Sequence, residues 1–259
     1  RRQLATVTAR ADSPHDLHAV RPLEAAAGTV QGMTTSRPLP TLPTEGRRVA
    51  FVGKGGAGKS TMLAHCLAHW KQYGVPCVGI DADVPGEEEH GTLYEHAQLA
   101  DLGAPVYPAP AVHQIRNEAL RLCPEKGLCA LDTGAWERRT GGPHAAVLSA
   151  VDLAVLCLQP TGNEINRAGS VLNAIEQLRA TGARAPELVI LLTMVDTSAA
   201  SPDDVDDELS RAGYTVLRSR YALSNGRDGY AQSWGKPVRI KDGSNMDEIA
   251  REVLGVVAR

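Results

Sequence analysis

The chain has 259 residues, a formal net charge of −3 and 43% hydrophobic residues. That is ample apolar material for one α/β domain of ordinary size, and the charge balance carries no global nucleic-acid signature. No apolar run reaches the ~18 residues of a membrane span, and five cysteines with neither a C-x-x-C pair nor a secretory leader fit a reducing cytoplasm.

Residues 1–46 are rich in Pro, Ala and Thr and lack sustained periodicity, so they read as a disordered extension. Pro38, Pro40 and Pro43 make its last stretch stiff and extended. It is too short and irregular for a helix-turn-helix domain. Residues 47–259 form the domain.

Arg47 to Gly53 (RRVAFVG) reads as a buried strand, and Thr61 to Tyr73 as a helix stopped by Gly74. Between them lies Gly53-Lys54-Gly55-Gly56-Ala57-Gly58-Lys59-Ser60-Thr61, which fits the phosphate-loop pattern G-x-x-x-x-G-K-[ST]. Glycines let the backbone approach phosphates, successive amides form an anion nest, and the helix adds its positive N-terminal end. Lys59 is expected at the β- and γ-phosphates and Ser60 on Mg²⁺.

Val75 to Asp83 is a second strand, ending in Asp81 and Asp83. Carboxylates at the C-terminal end of a parallel strand face the ligand crevice, where they hold Mg²⁺ through water or orient the attacking water. Gly127 to Thr133 is a third short apolar run and ends in an acid, Asp132. Asp152 to Pro160 and Glu187 to Val195 are further buried strands. Strand and helix alternate from Arg47 as β, phosphate loop, α, β, switch, α, β, α, β, α, β, α. The expected fold is therefore α/β, a mostly parallel sheet with helices on both faces.

The KGGAGKST box, with its early lysine Lys54, resembles the deviant Walker A box of the ParA/MinD superfamily. The Asp81–Asp83 segment is similar to that family's D-x-D-P-Q-G box, although here Asp83 is followed by Val84-Pro85-Gly86. Gly127–Thr133 resembles the Walker B strand. Thr215 to Val238 resembles the ending of ParA-type partition ATPases, in the small form without an N-terminal helix-turn-helix domain. The resemblance implies an ATP hydrolase with ATP and Mg²⁺ as cofactors and an ATP-sandwich homodimer. Lys54 would reach the partner's nucleotide, Asp83 would activate water, and Asp81 and Asp132 would serve Mg²⁺ beside Ser60. It further implies plasmid or chromosome partitioning on the nucleoid, a ParB-type centromere-binding partner and non-specific DNA binding. The basic residues Arg211, Arg218, Arg220, Arg227, Lys236, Arg239 and Lys241, set against the single acid Asp228, are the expected DNA surface.

Alternatives follow from particular residues. Thr193-Met194-Val195-Asp196 resembles the [NT]KxD guanine box without its lysine, so ATP is expected and GTP is the alternative. A metallocentre-maturation ATPase requires a cysteine pair; Cys123 and Cys129 precede the Walker B acid and do not fit the iron-protein arrangement. The altered Val84-Pro85 switch leaves open a nucleotide-dependent scaffold for cargo other than DNA. His65 and His69 have i, i+4 spacing but no third ligand, and are expected to be packing or solvated residues. The last helix, Asn245 to Ala258, has an acidic outer face and is expected on the sheet, not on a membrane.

Overall fold

The computed structural model describes residues 38–83, 91–108, 111–136, 142–196, 201–223 and 233–259. Among these residues seven parallel strands form one sheet: β1 (Arg47–Gly53), β2 (Cys77–Ala82), β3 (Val106–Tyr107), β4 (Leu128–Thr133), β5 (Leu153–Leu158), β6 (Glu187–Leu192) and β7 (Thr215–Val216). Their order is β3-β2-β4-β1-β5-β6-β7. The chain moves outward from β1 in one direction, then returns and moves outward in the other. Ligand crevices of open α/β sheets form where the order reverses in this way, outside the C-terminal ends of the strands.

Among the described residues seven α-helices cover the sheet: α1 (Lys59–Gln72), α2 (Thr92–Leu99), α3 (Ile115–Leu122), α4 (Gly142–Ala150), α5 (Gly162–Ala180), α6 (Ser201–Arg211) and α7 (Asn245–Val257). The strand period sorts the core. Val49 and Phe51 of β1 face a layer built with α1, α2 and α7, whereas Ala50 and Val52 face α3 to α6. With both faces covered, the inner strands read as continuous apolar runs.

The alternation read from the sequence places one helix between β2 and β4. The structure has two, with the edge strand β3 before the second. β3 and β7 are two residues long, too short for any period to show. The packed chain also begins before residue 47: Leu42 is 4% exposed and belongs to the core layer of α1. The part of the expected extension before residue 38, and the switch residues Val84, Pro85 and Gly86, lie outside the described residues.

Helix α1 carries the phosphate loop, and its C-terminus is a Schellman motif. Gly74 (φ 78°) donates to the Lys71 carbonyl and Val75 to that of Trp70. α7 holds α1 in place. The Trp70 indole donates to the Ala250 carbonyl at 3.0 Å. His69 Nε2 lies 2.6 Å from Asp247 Oδ1. Burial keeps the His69 imidazole below its ordinary pKa, so the neutral ring donates to the carboxylate. Burial alone would raise Asp247, but His69, the Gly243 amide and Arg251 together hold it low. Met246, Ile249, Val253, Leu254 and Val257 are all buried, so the apolar face of α7 is used on the domain. Among the described residues no helix is long and apolar enough to cross a membrane.

Asp247→Ala strands the buried His69 donor and takes one of two carboxylates from Arg251, which keeps Asp242 at 3.4 Å, and should cost about 2–4 kcal/mol in urea unfolding with an unchanged m-value. A depressed carboxylate contributes its stability above the unfolded pKa and loses it as pH falls through the lower folded value. The gap between variant and parent should therefore close below about pH 4.

Candidate functional site

The C-terminal end of β1 runs directly into the loop of residues 53–58. Gly56 and Gly58 have φ of 79° and 82°, in the left-handed region that favours glycine. Ala57 N donates to the Lys54 carbonyl at 3.2 Å, and Met62 N to Gly58 at 2.8 Å, the first bond of α1. Lys59 is buried and its Nζ donates to the Lys54 carbonyl at 3.0 Å. The Lys54 side chain is exposed.

Three elements brace this loop. Gln159, just after β5, donates Nε2 to the Gly56 carbonyl at 3.3 Å and to Met194 Sδ at 3.1 Å. Met194, after β6, has φ 52°, an uncommon conformation outside glycine. A Cβ on Gly58 would stand 3.2 Å from the Tyr221 ring and 3.6 Å from the Met194 methyl. On the other side, Trp136 N donates to the Gly53 carbonyl at 2.9 Å. Gln159, Tyr221 and Trp136 were not singled out in the sequence. Each touches the loop through tertiary packing, which no local spacing reports.

Asp81 and Asp132 are Cα partners on adjacent strands β2 and β4, both fully buried. Their environments differ sharply. Asp81 Oδ1 accepts from Asp83 N at 3.0 Å and Oδ2 from Tyr94 N at 2.8 Å. The second contact caps α2 from outside the helix, whose own N-cap, Gly91, offers no side chain. A Cβ on Gly91 would overlap the Asp81 carboxylate. Burial raises the Asp81 pKa, with the Asp83 charge adding and the backbone amides opposing.

Asp132 has no such partners. Both of its oxygens are buried without a hydrogen bond. Burial pushes its carboxyl up to about 7, the Asp81 charge adds to the rise, and Ser60 and Lys59 pull it down. Fully buried carboxylates without donors are rare because desolvation costs several kcal/mol. An orphaned anion beside a serine hydroxyl and a lysine is a fit for a divalent cation. Asp83 is half-buried and lies against Gly134, where a Cβ would collide with its carboxylate.

The basic stretch is less uniform than its sequence. Arg220 pairs with Asp203 at 2.6 Å and Asp206 at 2.9 Å on α6. Arg211 stands on the same acidic helix, 3.8 Å from Asp207. Arg218, Lys236, Arg239 and Lys241 are exposed, and Arg227 lies outside the described residues. The five cysteines are free and dispersed, four of them buried. Burial raises the Cys77 and Cys157 thiols to about 12. Among the described residues no cluster of three His, Cys, Asp or Glu side chains could hold a metal. His65 bonds the Thr61 carbonyl at 2.7 Å, so the two helix histidines serve packing.

No protein-family profile matches the chain, and no curated protein matches it by sequence. Solved structures do. The cell division ATPase MinD of Pyrococcus furiosus superposes with a TM-score of 0.60 at 16% identity, over 82% of this chain and 99% of that one. The two chains share a fold. Cobyrinic acid a,c-diamide synthase of Mycobacterium smegmatis, with an ATP analogue and magnesium bound, follows at 0.58 and 17% identity, over 81% of this chain and 93% of that one. The ATP complex of Cyanothece McdA gives 0.56 at 14% identity, over 83% and 96%. At such identities the likeness shows the P-loop α/β architecture.

Gly91→Ala should displace Asp81 from the Tyr94 amide and cost about 1–2 kcal/mol, read as a lower melting temperature with faster amide exchange confined to α2. Asp132→Asn should have the opposite sign in metal-free protein. The unfolded carboxyl ionises near pH 4 and the folded one only near 7, so the parent loses stability across that interval and stays low above it. The variant should be more stable at pH 8 by roughly 2–4 kcal/mol in urea unfolding, with no advantage below pH 4.

Proposed function

We propose that the chain is a dimerising ATPase whose nucleotide state works as a switch. The observation that carries this reading is the orphaned Asp132 carboxylate beside Lys59 and Ser60, at the foot of a glycine loop. Ser60 and Asp132 would hold Mg²⁺, which supplies charge neutralisation at the β- and γ-phosphates. The loop amides and Lys59 bind and orient the triphosphate, exchanging the Lys59–Lys54 carbonyl bond for phosphate oxygens. Asp83, at the mouth of the site, orients and deprotonates the attacking water. Asp81 braces α2 and the Asp83 amide, and acts on the metal side only through that bracing. Lys54, exposed on the loop, would serve a second subunit's nucleotide, as arginine fingers do, with a contribution of roughly 10³–10⁵ in rate.

The finer reading is a partition-type switch. ATP orders the dimer, the dimer binds DNA non-specifically, and a ParB-type protein stimulates hydrolysis and release. It rests on the sequence resemblance and on the exposed Arg218, Lys236, Arg239 and Lys241. One observation favours a second reading. The acids of α6 neutralise Arg220 and flank Arg211, which weakens that side of the surface for phosphate. A scaffold that positions cargo other than DNA would carry no such requirement.

Labelled ATP should bind the parent and Lys54→Ala, and fail to bind Lys59→Ala. Lys54→Ala should stay monomeric with ATP by light scattering. Duplex DNA binding should require ATP and fall about tenfold or more between 50 and 200 mM salt. ATP-dependent dimers with no DNA affinity at any salt would select the scaffold reading.

A further inference from the structure

His144 opens the first turns of α4, belongs to none of the motifs, and is 6% exposed. With its proton on Nε2 it donates to the Gly134 carbonyl at 3.4 Å. Its ring meets Trp136 edge-on, centroids 4.4 Å apart. Its Nδ1 is buried without a hydrogen-bond partner. A histidine that served only packing would be replaceable by an apolar ring, whereas an unsatisfied buried nitrogen calls for a reason to be there.

That reason lies in what His144 holds. Residues 134–136 form a saddle between β4 and α4, and each touches a different part of the site. Gly134 lies against the Asp83 carboxylate. Ala135 Cβ is 3.3 Å from the point where a Cβ on Gly55 would stand. Trp136 N bonds the Gly53 carbonyl at 2.9 Å. The saddle thus spans Asp83 and both residues flanking Lys54. His144 grips it at both ends, through the Gly134 carbonyl and the Trp136 ring. Burial, first of all, holds the imidazole below its ordinary pKa, the Lys59 charge adds to this, and the Gly134 carbonyl and the Asp83 charge oppose it.

We propose that His144 is a positioning residue that clamps the Gly134–Trp136 saddle and so fixes Asp83 relative to the Lys54 loop. The clamp is a property of the fold, and its catalytic consequence rests on the ATPase reading above. His144→Gln keeps a donor of similar reach, and His144→Ala removes it.

Two measurements on the full chain test this. In nucleotide-free protein, exchange of the Trp136 amide should speed at least tenfold in His144→Ala and return to within threefold of the parent in His144→Gln, with amides of β1 and β4 unchanged. In turnover assays, kcat should fall at least tenfold in His144→Ala with KM for ATP unchanged, and recover in His144→Gln. Parent-like exchange in His144→Ala, or equal losses in both variants, or a loss of protection across the whole sheet, would overturn the clamp. If exchange behaves as expected but the parent binds no labelled ATP, the clamp stands and the ATPase reading fails.

Discussion

Asp132 puts a carboxylate where water does not reach and gives neither oxygen a hydrogen-bond donor. In a folded domain that is a standing cost, and the surroundings are arranged to tolerate it. Lys59 and Ser60 pull against burial, yet the carboxyl still titrates near neutrality. A cation would convert the same site from a liability into a stabilising centre, so occupancy of the site and stability of the domain are linked.

The neighbouring carboxylate makes the contrast physical. Asp81 has the same burial and sits at the same register, but it accepts two backbone amides and thereby fixes the start of α2. Two aspartates on adjacent parallel strands thus divide the work, one holding the chain and one left open. Gly91 permits the arrangement because only a residue without Cβ allows the Asp81 carboxylate so close.

Around this pair the loop is held from three sides: by Gln159 and Met194 beyond β5 and β6, by Tyr221 beyond β7, and by the saddle after β4. From behind, α7 fixes α1 through Trp70 and the His69–Asp247 pair. A loop that must present amides to a polyanion gains precision from such bracing, because its own glycines impose none. The surface tells a different story. α6 carries aspartates that engage Arg220 and flank Arg211, so a row of bases along the sequence becomes an interrupted patch in space.

The sequence by itself determined the phosphate loop, the inner strands, the helix face of α7 and the order of the acids. Each is written in spacing along the chain: GKS, apolar runs ending in Asp81 and Asp132, a 3.6-residue period. It did not determine which aspartate is left without a hydrogen bond, because that depends on the Tyr94 amide of α2, thirteen residues away, meeting Asp81 and on no donor bonding Asp132. Nor did it reveal β3 and β7, whose two residues are too few for any period. His144, Gln159 and Tyr221 are ordinary in their local sequence and acquire roles only where the parallel crossovers bring their loops to one end of the sheet. Tertiary structure decided those roles because they are set by distance in space, which a parallel sheet makes nearly independent of distance along the chain.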